Sequence, residues 1–288
     1  YIKMRAKKYV DIKDNIAMIT LHNVKRTYRS VMEMKRELQK NERDKTKQYW
    51  NMVSLLSTVL DHNNLSEAEN QDNIIFFTKQ MYLQLQKNYP HGYLNVPSVG
   101  AGTANTEFEA ITGMNLDFFG PGEYPYKTVL KKTSCESVAF DLKNLGYSAH
   151  AIHNNEATFY DRNNVFAQIG FDTFTPIEYM NNIERNPAGW CRDKILVKEI
   201  IKTLDSTEGP DFIYTISVQG HGKYPDFEYY CEQIHEMDDF IRSLVNTLRT
   251  REEPIVLVMY GDHLPSFEWT ADEMINKSLY QTGYVVWN

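Results

Sequence analysis

The sequence predicts an α/β fold, a mostly parallel central sheet flanked by helices, and three observations lead there. Two short, nearly continuous apolar runs (52–60 and 255–260) read as strands buried on both faces, and 212–218 carries β-branched residues on alternate positions. Segments of helical period separate these runs, so strands and helices alternate along the chain, as in successive βαβ units. The 288 residues, 42% hydrophobic and 24% charged, suffice for a large domain with its own core and exclude disorder as the main state.

The elements follow in order. Residues 1–50 are dense in Lys and Arg, and 31–38 has a narrow apolar stripe, so this part reads as a helical, charged lead-in to a domain spanning 51–288. The strand at 52–60 runs into Asp61, and a helix is predicted over 74–89, stopped by Pro90 and Gly92. Residues 93–99 look extended and lead through Gly100 and Gly102 to a helix that Gly113 closes. Helices are predicted at 137–145, with Gly146 in the C′ position, and at 163–169, 190–204 and 227–249. Strands are predicted at 148–153, 212–218 and 255–260. The chain opens on Tyr1 and stops at 284–288 inside what reads as a strand, so both ends read as cut, the second within the domain.

Composition narrows the function. A formal net charge of −7 argues against a sequence-independent nucleic-acid binder. No apolar run approaches the ~18 residues of a membrane span. Cys135, Cys191 and Cys231 are too scattered for a disulfide framework or a CxxC metal site.

In open α/β sheets, functional groups gather at the carboxyl ends of the strands, and four predicted ends carry them. Val99-Gly100-Ala101-Gly102-Thr103 places a hydroxyl where a helix begins and its unpaired N–H groups suit an anion. Thr103 is then either a nucleophile, if a base or metal lowers its pKa, or an N-cap after a turn. Asp262 and His263 follow Gly261 at the end of 255–260; together they offer an oxygen and a nitrogen suited to Zn²⁺ or Mn²⁺, or else serve a turn. His221, between Gly220 and Gly222, and His153, at the end of 148–153, are candidate donors to a transferred phosphoryl or sulfuryl oxygen, or loop histidines. Arg162 has a planar fork for phosphate, or a partner in Asp161 or Asp172.

Taken together, Gly100 to Glu109, His153 to Arg162, Gln219-Gly220-His221-Gly222 and Tyr260-Gly261-Asp262-His263 resemble the lipoteichoic acid synthase family, phosphoglycerol transferases of the sulfatase and alkaline phosphatase superfamily. The resemblance runs from about Met52 to Asn288. It implies a sulfatase-like catalytic domain facing the outside of the cell membrane in a Gram-positive-type bacterium, tethered by segments absent from this sequence. Thr103 would be the nucleophile and, with Asp262 and His263, would hold a divalent cation, Mn²⁺ first, with Mg²⁺ or Zn²⁺ as alternatives. His153, Asn155, Tyr160, Arg162 and His221 would surround the phosphate and glycerol. The donor would be phosphatidylglycerol and the acceptor a glycerophosphate polymer or glycolipid.

Two positions depart from the family pattern around glycerol: Asn155 stands where relatives often carry an acid, and Tyr160 where they often carry tryptophan. A third departure concerns the metal. Relatives carry a further glutamate ligand near the end of the first strand; Ser57 stands in that place, and no glutamate lies between Glu42 and Glu67. Three readings follow in order: a working transferase, a non-catalytic relative that binds glycerophosphate polymer or lipid head groups, and a phosphoester or sulfoester hydrolase. The Cys-x-Pro-x-Arg sequence of classical sulfatases is absent.

Overall fold

The computed structural model describes residues 10–13, 16–19, 81–274 and 277–288. The predicted helix at 31–38, the strand at 52–60 and Ser57 lie outside the described residues. Within the lead-in, β1 (Val10–Lys13) and β2 (Ile16–Ile19) pair antiparallel. Then come α1 (Met81–Asn88), β3 (His91–Asn95), β4 (Val99–Gly100), α2 (Thr103–Thr112), α3 (Pro125–Thr128), α4 (Val138–Asn144), β5 (Ser148–His153) and α5 (Arg162–Gln168). The chain continues through β6 (Thr173–Pro176), α6 (Ile195–Leu204), β7 (Asp211–Ile216), α7 (Phe227–Leu248), β8 (Leu257–Tyr260), β9 (Leu264–Pro265) and β10 (Gln281–Trp287).

The centre is a parallel sheet in the order β6-β5-β7. Its strands alternate as a two-residue period requires. On β7, Phe212, Tyr214 and Ile216 face a core shared with α2, α3, α4 and α5, and Ile213 faces the other side, with α1, α6, α7 and β10. On β5, Ala149 and Ala151 join the first core and Ile152 the second. Two apolar layers of helix therefore sandwich the sheet. Each fully buried Leu, Ile or Phe in them, such as Leu85, Phe108, Phe166 or Leu196, contributes about 1.5–3 kcal/mol.

The expected strand at the chain's end is β10, but it does not extend the parallel sheet. It runs antiparallel between β3 and β8, with Tyr284 opposite both Gly92 and Tyr260. The strand pattern alone could not show this, because a run buried on both faces reads the same in either direction. The short strands β6 and β9 were not predicted, since two to four residues carry too little periodicity. The helix expected over 190–204 begins only at Ile195. Ahead of it, Arg185 and Cys191 form an antiparallel bridge and Arg192 N–H donates to Glu184 O at 2.8 Å, which holds this stretch extended.

Candidate active site

Both glycines before Thr103 are required by the backbone. Gly100 has φ +74° and Gly102 φ +106°, the left-handed region that side chains avoid. A Cβ on Gly102 would also lie 2.6 Å from Ser98 Oγ. Gly102 is the N-cap of α2, and no side chain caps that end, so the N-cap reading of Thr103 is overturned. Thr103 is the first helical residue, with its hydroxyl turned toward another part of the chain.

That other part is the β8–β9 connection. Val99 and Gly100 of β4 pair in parallel with Leu264 and Pro265 of β9, which brings residue 263 beside residue 103. Thr106 Oγ1 donates to Asp262 O at 2.6 Å and locks the loop against the first turn of α2. Thr103 Oγ1 then lies 3.4 Å from His263 Nε2, and His263 Nε2 lies 3.3 Å from Asp262 Oδ2. His263 Nδ1 is 2.8 Å from Leu264 O, and a carbonyl only accepts, so Nδ1 carries the proton and a neutral ring has its lone pair on Nε2. His263 Nε2 and Asp262 Oδ2 therefore face each other as acceptors, with the Thr103 hydroxyl beside them. The hydroxyl, nitrogen and carboxylate donors fit a divalent ion of Zn²⁺ or Mn²⁺ type. Among the described residues no further His, Cys, Asp or Glu joins them to make a larger cluster.

Arg162 is gripped by neither Asp161 nor Asp172; Asp172 is bound by Lys143. Its partner is Glu107, one turn beyond Thr103 on α2. Arg162 Nε donates to Glu107 Oε2 at 3.0 Å and Nη2 donates to Oε1, a bidentate pair, and Nη1 donates to Phe159 O at 3.0 Å. The two residues are only 1% and 2% exposed. Sequence reasoning missed Glu107; its i+4 spacing from Thr103 was the available signal. The Tyr160 ring lies 5.2 Å from the Arg162 guanidinium and stacks on Tyr124 at 5.3 Å. Tyr160 and Asp161 both take left-handed backbone angles, φ 59° and 61°. Beside Tyr160 opens a shallow hollow of about 490 Å³ with Lys127 and Lys131 on its rim.

His153 is buried at the end of β5. Its Nδ1 donates to Ile216 O at 2.9 Å, and its Nε2 has no hydrogen-bond partner in the structure. Burial, reinforced by the Arg162 charge, pushes its pKa down to about 3, so the ring stays neutral and presents a lone pair. Asn155, two residues on, is half-buried, and its carbonyl accepts from Ile177 N–H at 3.1 Å. His221 follows β7, in a turn closed by its N–H to Val218 O at 2.9 Å, with Trp190 against its ring at 4.4 Å and Phe159 at 6.0 Å. The same loop approaches the 262–266 segment, since a Cβ on Gly222 would lie 3.4 Å from Ser266 Oγ. Seven of the eight predicted residues thus form two adjoining groups, Thr103, Asp262 and His263 in one, and His153, Tyr160, Arg162 and His221 in the other; Asn155 follows His153 and is tied to Ile177 through its backbone.

A hydroxyl at a helix start, an Asp-His pair after a strand and a buried arginine thus lie around a parallel sheet in an α/β fold. The sulfatase family model matches residues 65–288, and the chain belongs to that family. Among its relatives, it is 30% identical over 210 residues to the putative cyclic β-1,2-glucan modification protein of Rhizobium meliloti (strain 1021), covering 66% of this chain and 31% of that protein. It is 26% identical over 151 residues to lipoteichoic acid synthase 2 of Bacillus subtilis (strain 168), covering 46% of this chain and 23% of that one. The chain therefore spans a third or less of the length of these relatives. Among solved structures, the fold is similar to Streptococcus pyogenes phosphoglycerol transferase GacH in complex with sn-glycerol-1-phosphate. The TM-score is 0.61 at 18% identity, over 97% of this chain and 77% of that one. Among the described residues no helix is long and apolar enough to cross a membrane.

Proposed function

We propose that the chain is the catalytic part of a phosphoglycerol transferase that works outside the cytoplasm, at the membrane holding its lipid donor. The observation that carries this is the convergence of Thr103 Oγ1 and Asp262 Oδ2 on His263 Nε2, at 3.4 and 3.3 Å. The likeness to a lipoteichoic acid synthase and to a phosphoglycerol transferase supports it. Thr103, Asp262 and His263 would hold a divalent cation, Mn²⁺ in the first instance. Bound there, it would lower the pKa of the threonine hydroxyl and offset charge on the phosphoryl oxygens.

The chain's own residues do the rest. Thr103 Oγ1 attacks the phosphorus of phosphatidylglycerol; the Oγ1–P bond forms as the P–O bond to diacylglycerol breaks. The proton lost by Thr103 balances the one gained by the departing alcohol. An acceptor hydroxyl then attacks the same phosphorus and restores the threonine. His153 and His221 orient the glycerol phosphate, and Arg162, already neutralised by Glu107, supplies its remaining N–H groups as fixed donors rather than as net charge. The acceptor is a hydroxyl of a glycan or of a glycerophosphate polymer; the glucan-modifying relative supports the first, the synthase the second.

The test is a phosphatidylglycerol with a labelled glycerol, incubated with Mn²⁺ and with glucan or glycerophosphate acceptor. Diacylglycerol release together with a glycerophosphoryl group on the Thr103 peptide supports the reading; release that persists in Thr103→Ala sinks it. A binding relative, holding glycerophosphate through Arg162, His153 and His221, is the second reading, favoured by the single carboxylate among the described metal-site residues. Calorimetry with Mn²⁺ separates the two: binding absent in the wild type but present in Ser57→Glu selects the second.

A further inference from the structure

Behind the strand ends that carry His153 and His221 sits a buried polar cluster that the transfer above does not use. Asp193 is at its centre, fully buried in the stretch ahead of α6. Its Oδ1 accepts three N–H groups: Val218 N at 3.1 Å, Gln219 N at 3.2 Å and Asn154 Nδ2 at 2.8 Å. The first two lie on the chain leaving β7, just ahead of His221; the third follows His153 at the end of β5.

The surroundings reinforce that clamp. Gln219 Oε1 accepts the Asp193 N–H at 2.8 Å, and Gln219 Nε2 donates to Gln233 Oε1 at 3.0 Å and to Glu236, both on α7. Asn186 Nδ2 donates to Gln219 O at 3.2 Å, while its Oδ1 accepts from Trp190 N–H, and Trp190 packs on His221. Val218 and Gln219 lie beyond Ile216, the last ladder residue of β7, so no neighbouring strand takes their N–H groups. Left unpaired while buried, each would lose its hydration with nothing in return. Burial pushes the Asp193 carboxyl up to about 6 against the pull of these hydrogen bonds, and Asp193 Oδ2 has no partner. A group this costly to bury is held for what its other oxygen does.

We infer that Asp193 is a positioning residue for the proposed transfer: one carboxylate oxygen ties the ends of β5 and β7 together and so sets where His153 and His221 meet the glycerol phosphate. Only the activity arm of its test rests on the transferase reading; the geometric arm does not.

The experiment follows the ring signals of His153, His221 and His263 by NMR in the full-length protein, alongside calorimetry with sn-glycerol-1-phosphate and turnover of labelled phosphatidylglycerol. In Asp193→Ala the His153 and His221 signals shift, His263 stays in place, glycerol phosphate binding weakens about tenfold and turnover falls at least as far. Asp193→Asn, which keeps an accepting oxygen, restores the signals and most of the affinity. Should Asp193→Ala not fold, Asn154→Ala removes one of the three donors and shifts His153 alone. The inference is overturned if His153 and His221 keep their wild-type signals in Asp193→Ala, or, where that variant does not fold, if His153 does so in Asn154→Ala. It is also overturned if all three rings move together, the mark of a merely structural role. A wild type that turns over no lipid, yet shows these selective shifts, refutes the transferase reading and leaves the positioning role standing.

Discussion

One turn of α2 separates two kinds of electrostatics. At its first residue, Thr103 faces His263 and Asp262, whose side chains are 14% and 37% exposed and whose lone pairs point at each other. Four residues on, Glu107 meets Arg162 in a bidentate pair closed off from water. The first group sets a hydroxyl, an imidazole and a carboxylate at a partly exposed position; the second has been neutralised by the protein itself. The difference shows how one helix can carry an exposed polar group and a sealed ion pair a turn apart. Under the proposed function, the open group is where a cation would be held, while the closed group keeps its donors rigid.

That contrast can be broken by substitution. Thr103→Ala should reduce glycerophosphate transfer by about three orders of magnitude or more, as loss of a nucleophile does. Its thermal midpoint should stay near the wild type, because an exposed-side hydroxyl is removed without stranding a buried group. Mass spectrometry of the trapped peptide and a melting curve check both halves of this statement.

Glu107→Gln should cost about 3–5 kcal/mol in stability, since it leaves the buried Arg162 charge without its counter-ion. The double variant Glu107→Leu/Arg162→Met should recover much of that loss and still fail to bind sn-glycerol-1-phosphate. Urea unfolding of the three proteins measures it. Equal stability for Glu107→Gln and the wild type would show that the closed group is not closed.

Asp262→Ala tests the open group from the other side. With one ligand of three removed, Mn²⁺ affinity should fall roughly 100-fold by calorimetry, while stability in the presence of chelator changes by less than about 0.5 kcal/mol. A large stability loss without metal would mean that Asp262 serves the fold.

The smallest effect is one of pH. His153 has its pKa pushed from the ordinary 6.5 down to about 3 by burial, so between those values the unfolded chain binds a proton that the folded one does not. Its contribution is therefore complete above pH 6.5 and is lost as pH falls toward 3, with a slope approaching about 1.4 kcal/mol per unit. His153→Gln should flatten the urea midpoint between pH 6 and pH 5 relative to the wild type.

Much of this arrangement was legible in the chain. Gly100 and Gly102 announced a backbone that only glycine follows readily, and both do take positive φ. Ser137, Gly113 and Gly146 marked helix ends that the structure keeps, because capping is local chemistry. Thr103, Asp262 and His263 could be singled out as strand-end groups, and the fold brings them together. Arg162 was singled out too, as a fork for phosphate or else a partner of Asp161 or Asp172; its actual partner, Glu107, lies 55 positions away, where sequence proximity gives no guide.

What the sequence by itself determined is the local grammar: alternating strands and helices, their caps, and which polar residues fall at strand ends. These depend on side-chain period and backbone angles within a few residues. Tertiary structure alone decided that β10 lies antiparallel between β3 and β8, that Glu107 neutralises Arg162 from 55 positions away, and that Asp193 takes the N–H groups of Val218 and Gln219. Those choices are made by buried polar groups seeking partners through space. A hydrogen bond recognises geometry and leaves no mark of its partner in the order of residues.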